Sequence, residues 1–219
     1  MGAMRTPVPP ASADAATPEA GGRSTMVVVT SWKDPGQTWA NALPYPLMVY
    51  SESVHGWLND HHTSEAGRIL HFLCTYYDDL PRYMFFFHGH ATSHHRPSDF
   101  VDRILAFQRA DWPGYASFSG NLMGTRGKPD GDVWKRMDHL WYAVLQRYFK
   151  KEHESQYGEY TDQQGCCAEF FVSAARVRRR PRQLYCDLLD FVFHSVSDSH
   201  HFKGVNLEWH WPLIFGDYD

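Results

Sequence analysis

The chain has 219 residues, 43% hydrophobic and 16% aromatic, with 25 acidic against 21 basic side chains and a formal net charge of -4. That is enough apolar material for one domain with a complete core, and the mild negative charge argues against general nucleic-acid binding. No apolar run is long enough to span a membrane. Residues 1–25, rich in Ala, Pro, Gly, Ser and Thr, lack the apolar centre of a signal peptide. They are expected to form a disordered tail ahead of a single α/β domain over 26–219.

The first strand is expected at 27–32, where β-branched residues cluster. Asp34-Pro35-Gly36 turns the chain, Thr38 to Leu43 forms a short helix, and 46–51 is the second strand. Ser64 caps a helix through Tyr77, with Leu70, Leu73, Cys74 and Tyr77 on one face. Leu80-Pro81 stops it. The third strand, 83–88, is a continuous aromatic run, as a strand buried on both faces requires. Pro97-Ser98-Asp99 caps a helix to about Ala110, Asp111 to Asp132 reads as a long loop, and Val133 to Lys150 is helical. A strand at 168–172 follows. Ser173 then caps a helix whose main body lies beyond Pro181. The tail from Val205 is aromatic, with Trp209, Trp211 and Phe215. This alternation predicts one mainly parallel sheet with helices on both faces.

Four cysteines are too few for a disulfide scaffold at this size, and no Cys-x-x-Cys spacing suggests a structural zinc site. Cys166-Cys167 precedes a strand, where packing and thiol chemistry are both open readings. The redox compartment stays open.

The third strand ends in His88-Gly89-His90, with His94 and His95 close behind. Buried strands of α/β proteins deliver functional groups at their carboxyl ends. Imidazoles there can move protons, hold an anion or bind a metal. As a metal shell, His88, His90, His94 and His95, with Asp99 in reserve, would take manganese, magnesium or zinc. As a surface loop, they would do none of this. Asp34 either closes a turn or contacts a nucleotide base or ribose. Arg68, near a helix start, either holds a phosphate or forms an ion pair. Glu208, between aromatic neighbours Trp209 and Trp211, would be partly desolvated and therefore raised in pKa, as a general base needs. His210 could assist it. The alternative is a Glu that pairs with an arginine and pins the tail. No nucleophile elbow, phosphate-binding glycine loop or His-Glu-x-x-His motif is present.

Several motifs occur together in order. Val27 to Trp32 is followed by Asp34 and Trp39. Gly67-Arg68 leads a helix ending Tyr77-Asp78-Asp79-Leu80-Pro81, and the next strand ends Phe86-Phe87-His88-Gly89. Later come Cys166-Cys167, Phe170, Val172, Ser173, Arg180-Pro181 and Tyr185, and finally Glu208, Trp211 and Ile214-Phe215-Gly216. This series resembles a family of small eukaryotic proteins, mostly fungal and algal, known as a domain of unknown function. The chain departs from the family pattern at Ile69, where the pattern has Glu, and at His88, where it has Gln.

The family's layout in turn resembles the nucleotide-sugar glycosyltransferases built on one Rossmann-like sheet. That resemblance implies a nucleotide-sugar donor and an acceptor hydroxyl. Arg68 would hold the diphosphate and Asp34 the nucleoside. The His88–His90 strand end would face the donor or its divalent metal, and Glu208 would deprotonate the acceptor. An Asp-x-Asp metal motif is missing at this strand end. A metal-dependent hydrolase or lyase built on the histidines, and a carbohydrate- or nucleotide-binding protein without turnover, are the alternatives.

Overall fold

The aromatic run at the centre of the chain becomes the middle strand of a five-stranded sheet. The computed structural model describes residues 25–30, 38–50, 64–89, 100–107, 114–118, 139–149, 168–194 and 200–216. The strands are β1 (Thr25–Thr30), β2 (Leu47–Tyr50), β3 (Tyr83–His88), β4 (Tyr115–Ser117) and β5 (Phe170–Ser173), in the order β2-β1-β3-β5-β4. The longer helices are α1 (Ser64–Thr75), α2 (Phe100–Phe107), α3 (Arg182–His194) and α4 (His200–Phe215).

β1 pairs in parallel with both β2 and β3, whereas β5 runs antiparallel to β3 and to β4. The sheet is therefore mixed, not the mainly parallel one expected. Apolar runs such as Phe170-Phe171-Val172 announce a buried strand but carry no sign of its direction. β4 falls inside the stretch read as a loop. It is three residues long and lies at the sheet edge, too short to show an alternating pattern.

Alternate residues of β3 enter two separate cores. Met84 and Phe86 join Val28, Phe170 and Val172 on one face, while Phe85 and Phe87 join Val27 and Phe171 on the other. Residues of α1, α3 and α4 complete the first core. Ile104 of α2 and Ala40 of the short helix Thr38–Ala42 complete the second. Covering both faces is what makes the strand apolar at every position. Face-to-edge and tilted ring contacts, such as Phe72–Phe86 at 5.7 Å and Phe86–Phe170 at 5.0 Å, extend through the first core.

The register fixes a common edge. Thr30 is level with Tyr50 on one side and His88 on the other, so all three parallel strands end together. β5, being antiparallel, begins at that same edge, where Phe170 pairs with Phe86.

The tail forms a helix that periodicity did not reveal. Leu207, His210, Trp211, Leu213, Ile214 and Phe215 are all buried, and a helix buried nearly all round shows no amphipathic stripe. Pro212 stands inside α4. It removes the amide that would otherwise donate to the Glu208 carbonyl.

Ser173 caps the helical turn Ala174–Val177, its hydroxyl accepting from the Arg176 amide at 3.1 Å, and α3 follows Pro181. The helix expected over 133–150 is seen as helical residues 139–143 and a 3-10 turn Leu145–Arg147; its first part is outside the described residues. A disulfide joins Cys74 on α1 to Cys186 on α3. The tail 1–24, Asp34, His90, His94, His95, Asp99 and Cys166-Cys167 also lie outside the described residues.

Candidate acid–base site

His88 continues the Met84–Phe86 row on the α1-facing side of β3 and is the strand's last residue. Its position is fixed from several sides. The Thr30 hydroxyl donates to the Phe87 carbonyl at 3.2 Å, and the Trp39 indole donates to the Gly89 carbonyl at 3.0 Å. Trp39 also meets Phe87 edge-on, with ring centroids 5.8 Å apart.

Two carboxylates flank the imidazole. Glu65 Oε1 is 3.5 Å from Nδ1, and Glu169 Oε1 is 3.2 Å from Nε2. Glu65 comes from the first turn of α1, where the helix dipole favours a negative charge. Glu169 is the residue before β5 and its side chain is only 1% exposed. The Phe118 amide holds the Glu169 carbonyl at 2.8 Å, which anchors this end of β5.

Charge at the cluster follows from that geometry. Burial acts to lower the pKa of His88, but the hydrogen bond it donates to Glu65 and the charges of Glu169, Glu65 and Glu208 overcome it and raise the value to about 9. Burial likewise opposes ionisation of Glu65, yet its bond to His88, the His88 charge, its backbone contact and Arg68 bring it down to about 2. Near neutral pH, then, the strand end holds an imidazolium that donates to Glu65 and is ion-paired with Glu169 on its other side. In that state neither nitrogen has a lone pair for a metal.

Glu208, on α4, reaches the same cluster. Burial raises its pKa to about 7; the His88 charge works against this, and Glu65 and Glu169 reinforce it. The tail thus returns to the edge where β3 ends, bringing together two residues 120 positions apart. A carboxyl group that titrates near neutrality beside a fixed cation can accept or deliver a proton at working pH.

Arg68 is 2% exposed, and one guanidinium nitrogen donates to the Ser64 carbonyl at 2.7 Å. Ser64 takes φ of 50°, an uncommon backbone state for a residue with a side chain. A Cβ on Gly204 of α4 would come within 2.6 Å of the Ser64 hydroxyl oxygen, so the start of α1 packs directly on α4. This contact sets the spacing between the helices that carry Glu65 and Glu208. His210 is fully buried, its Nδ1 donating to the Asn206 carbonyl one turn back along α4.

Sequence reasoning missed Glu65 and Glu169. Glu65 read as an ordinary acidic residue at a helix start. Glu169 had a visible signal: a lone carboxylate inside an apolar strand run is costly unless paired, and that alone marks it for a partner such as His88. Among the described residues, no group of three or more His, Cys, Asp or Glu side chains is placed to hold a metal ion. No helix among them is long and apolar enough to cross a membrane.

Fold and site together define an α/β domain with an acid–base cluster at the shared edge of its parallel strands. The chain belongs to the family described as Protein of unknown function (DUF3431), whose model matches residues 27–219. No curated protein and no solved structure matches it.

Proposed function

We propose that the protein is a glycosyltransferase-like enzyme that moves a sugar from a nucleotide-sugar donor to an acceptor hydroxyl, with Glu208 as the general base. The observation that carries this reading is Glu208 on α4, buried and within the field of His88, Glu65 and Glu169 at the strand-end edge, with a pKa raised to about 7. At that value about half of the Glu208 side chains are ionised at pH 7, and the carboxylate is basic enough to take a hydroxyl proton as the bond forms.

In the proposed reaction Glu208 removes the acceptor proton, the acceptor oxygen attacks the anomeric carbon, and the bond to the diphosphate breaks. The nucleoside diphosphate leaves with the bonding electrons. The His88 imidazolium and Arg68 supply positive charge on the side where negative charge builds. Arg68, being buried, contributes through its field and not by direct contact. The layout of the resemblance also supports the reading: parallel strands first, a third strand ending at charged groups, and a late segment carrying a carboxylate. A divalent metal bound by the donor's phosphates would add to this charge, with ligands from His90, His94 or His95.

The test is a thermal-shift screen of nucleotide sugars, each with and without manganese, magnesium or zinc. A donor present at 100 times its dissociation constant stabilises the fold by about 2.7 kcal/mol. Stabilisation by a nucleotide sugar is the expected result, and turnover of that donor then separates a transferase from a binding protein. A response to zinc alone, with no effect of any nucleotide sugar, would favour the hydrolase reading instead.

A further inference from the structure

Cys74 and Cys186 form a disulfide across a sequence separation of 112 residues. Cys74 is on the last turn of α1 and Cys186 is in the first half of α3. Both residues are half-buried, and the helices they join pack on the same core through Leu70, Leu73, Leu184 and Leu188. The Arg182 Nε donates to the Cys74 carbonyl at 2.8 Å, and the Arg182 guanidinium also meets Asp78 at 3.6 Å, so polar contacts brace the same junction.

We propose that this bond is a permanent structural cross-link, and that the protein folds and works in an oxidising compartment. A redox-catalytic pair needs its two thiols close in sequence or placed at a reactive site. Here they lie on two packed helices, and Cys74 is nine residues from Glu65, about 13 Å along α1 from the acid–base cluster. Structural disulfides between packed helices are rare in a cytosol whose thiols are kept reduced, whereas they form and remain in a secretory lumen or outside the cell. The inference is independent of the reaction proposed above.

The test is the thiol state of the full chain inside the cells that make it. Cells are quenched in acid, free thiols are blocked, the sample is reduced, and newly exposed thiols are labelled with a second reagent before peptide mapping. The expected result is that Cys74 and Cys186 carry only the second label. Purified protein should also lose about 5–15 °C in Tm when treated with a reductant, and C74S/C186S should show the lower Tm with no further response at this pair. C166S/C167S, which removes the other two cysteines, should keep the full reductant response. First-label modification of Cys74 and Cys186 in the cell would overturn the proposal. So would a wild-type Tm that reductant and the double substitution both leave unchanged.

Discussion

His88 Nε2 lies 3.2 Å from Glu169 Oε1, across the seam where the parallel strand β3 meets the antiparallel strand β5. The reversal of β5 is what brings this carboxylate to the site. A strand running parallel to β3 would end at that edge, and its first residue would be at the far side of the sheet. Together with Glu65, the contact turns an ordinary strand-end histidine into a lasting cation.

Replacing Glu169 should expose the value of that contact. In E169A the imidazolium loses its buried partner and a gap opens at the start of β5, so stability at pH 7 should fall by about 2–5 kcal/mol. E169Q keeps the shape and should cost less. In both, the pKa of His88 should drop from its value of about 9, since one of the charges that raises it is gone. Denaturant titration gives the first quantity, and a histidine NMR titration gives the second.

The cluster also sets how stability depends on pH. The folded value for His88, about 9, lies above its usual 6.5. Its contribution is therefore complete below pH 6.5 and is lost as pH rises through 9, a change of about 3 kcal/mol. H88Q should flatten this alkaline decline. Glu65 behaves in the opposite sense. Its folded value of about 2 is below the usual 4.5, so its contribution is present above pH 4.5 and disappears as pH falls through 2.

Glu208 should cost stability when ionised. Its pKa rises from 4.5 to about 7 in the folded state, so stability should decline as pH increases from 4.5 through 7. E208Q removes that ionisation and should be more stable than the wild type by about 1–3 kcal/mol at pH 8. Such a gain, paired with lost turnover, is the mark of a site that trades stability for function. Equal stability of the two proteins at pH 5 and pH 8 would contradict the raised pKa.

The close approach of α4 to α1 gives a further prediction. A Cβ at position 204 would meet the Ser64 hydroxyl at 2.6 Å and the Ser64 Cβ at 3.2 Å. G204A should therefore destabilise the fold by about 1–3 kcal/mol. Because the two helices must part, Glu208 should also move from Glu65 and His88, lowering kcat more than KM. S64G opens the space and should restore much of both when combined with G204A.

Much of this architecture could be read from the chain. The β1, β2, β3 and β5 segments were marked by apolar or β-branched runs, and Ser173 by its place before a helix. His88 and Glu208 stood out as chemistry-bearing residues at the end of a buried strand and in an aromatic tail. What could not be read was direction and distance. β5 looks the same to a hydrophobicity pattern whichever way it runs, so the lone carboxylate of Glu169 signalled a need for a partner but the pattern could not show which edge of the sheet it would reach. The α4 helix, buried on nearly every side, has no polar stripe to reveal its period. Cys74 and Cys186 lie 112 residues apart with no spacing motif, and only the packing of α1 on α3 makes them neighbours.

The measurement that bears most directly on the central claim is release of nucleoside diphosphate from a panel of nucleotide sugars, followed from pH 5 to pH 10 in the wild type and E208Q. With a donor that the protein uses, kcat/KM should rise as Glu208 ionises near pH 7 and fall as His88 loses its proton near pH 9. E208Q should lower the rate by about 100-fold or more and abolish the acidic limb. Turnover that E208Q retains in full, with the same acidic limb, would show that Glu208 is not the base and that the proton leaves by another route.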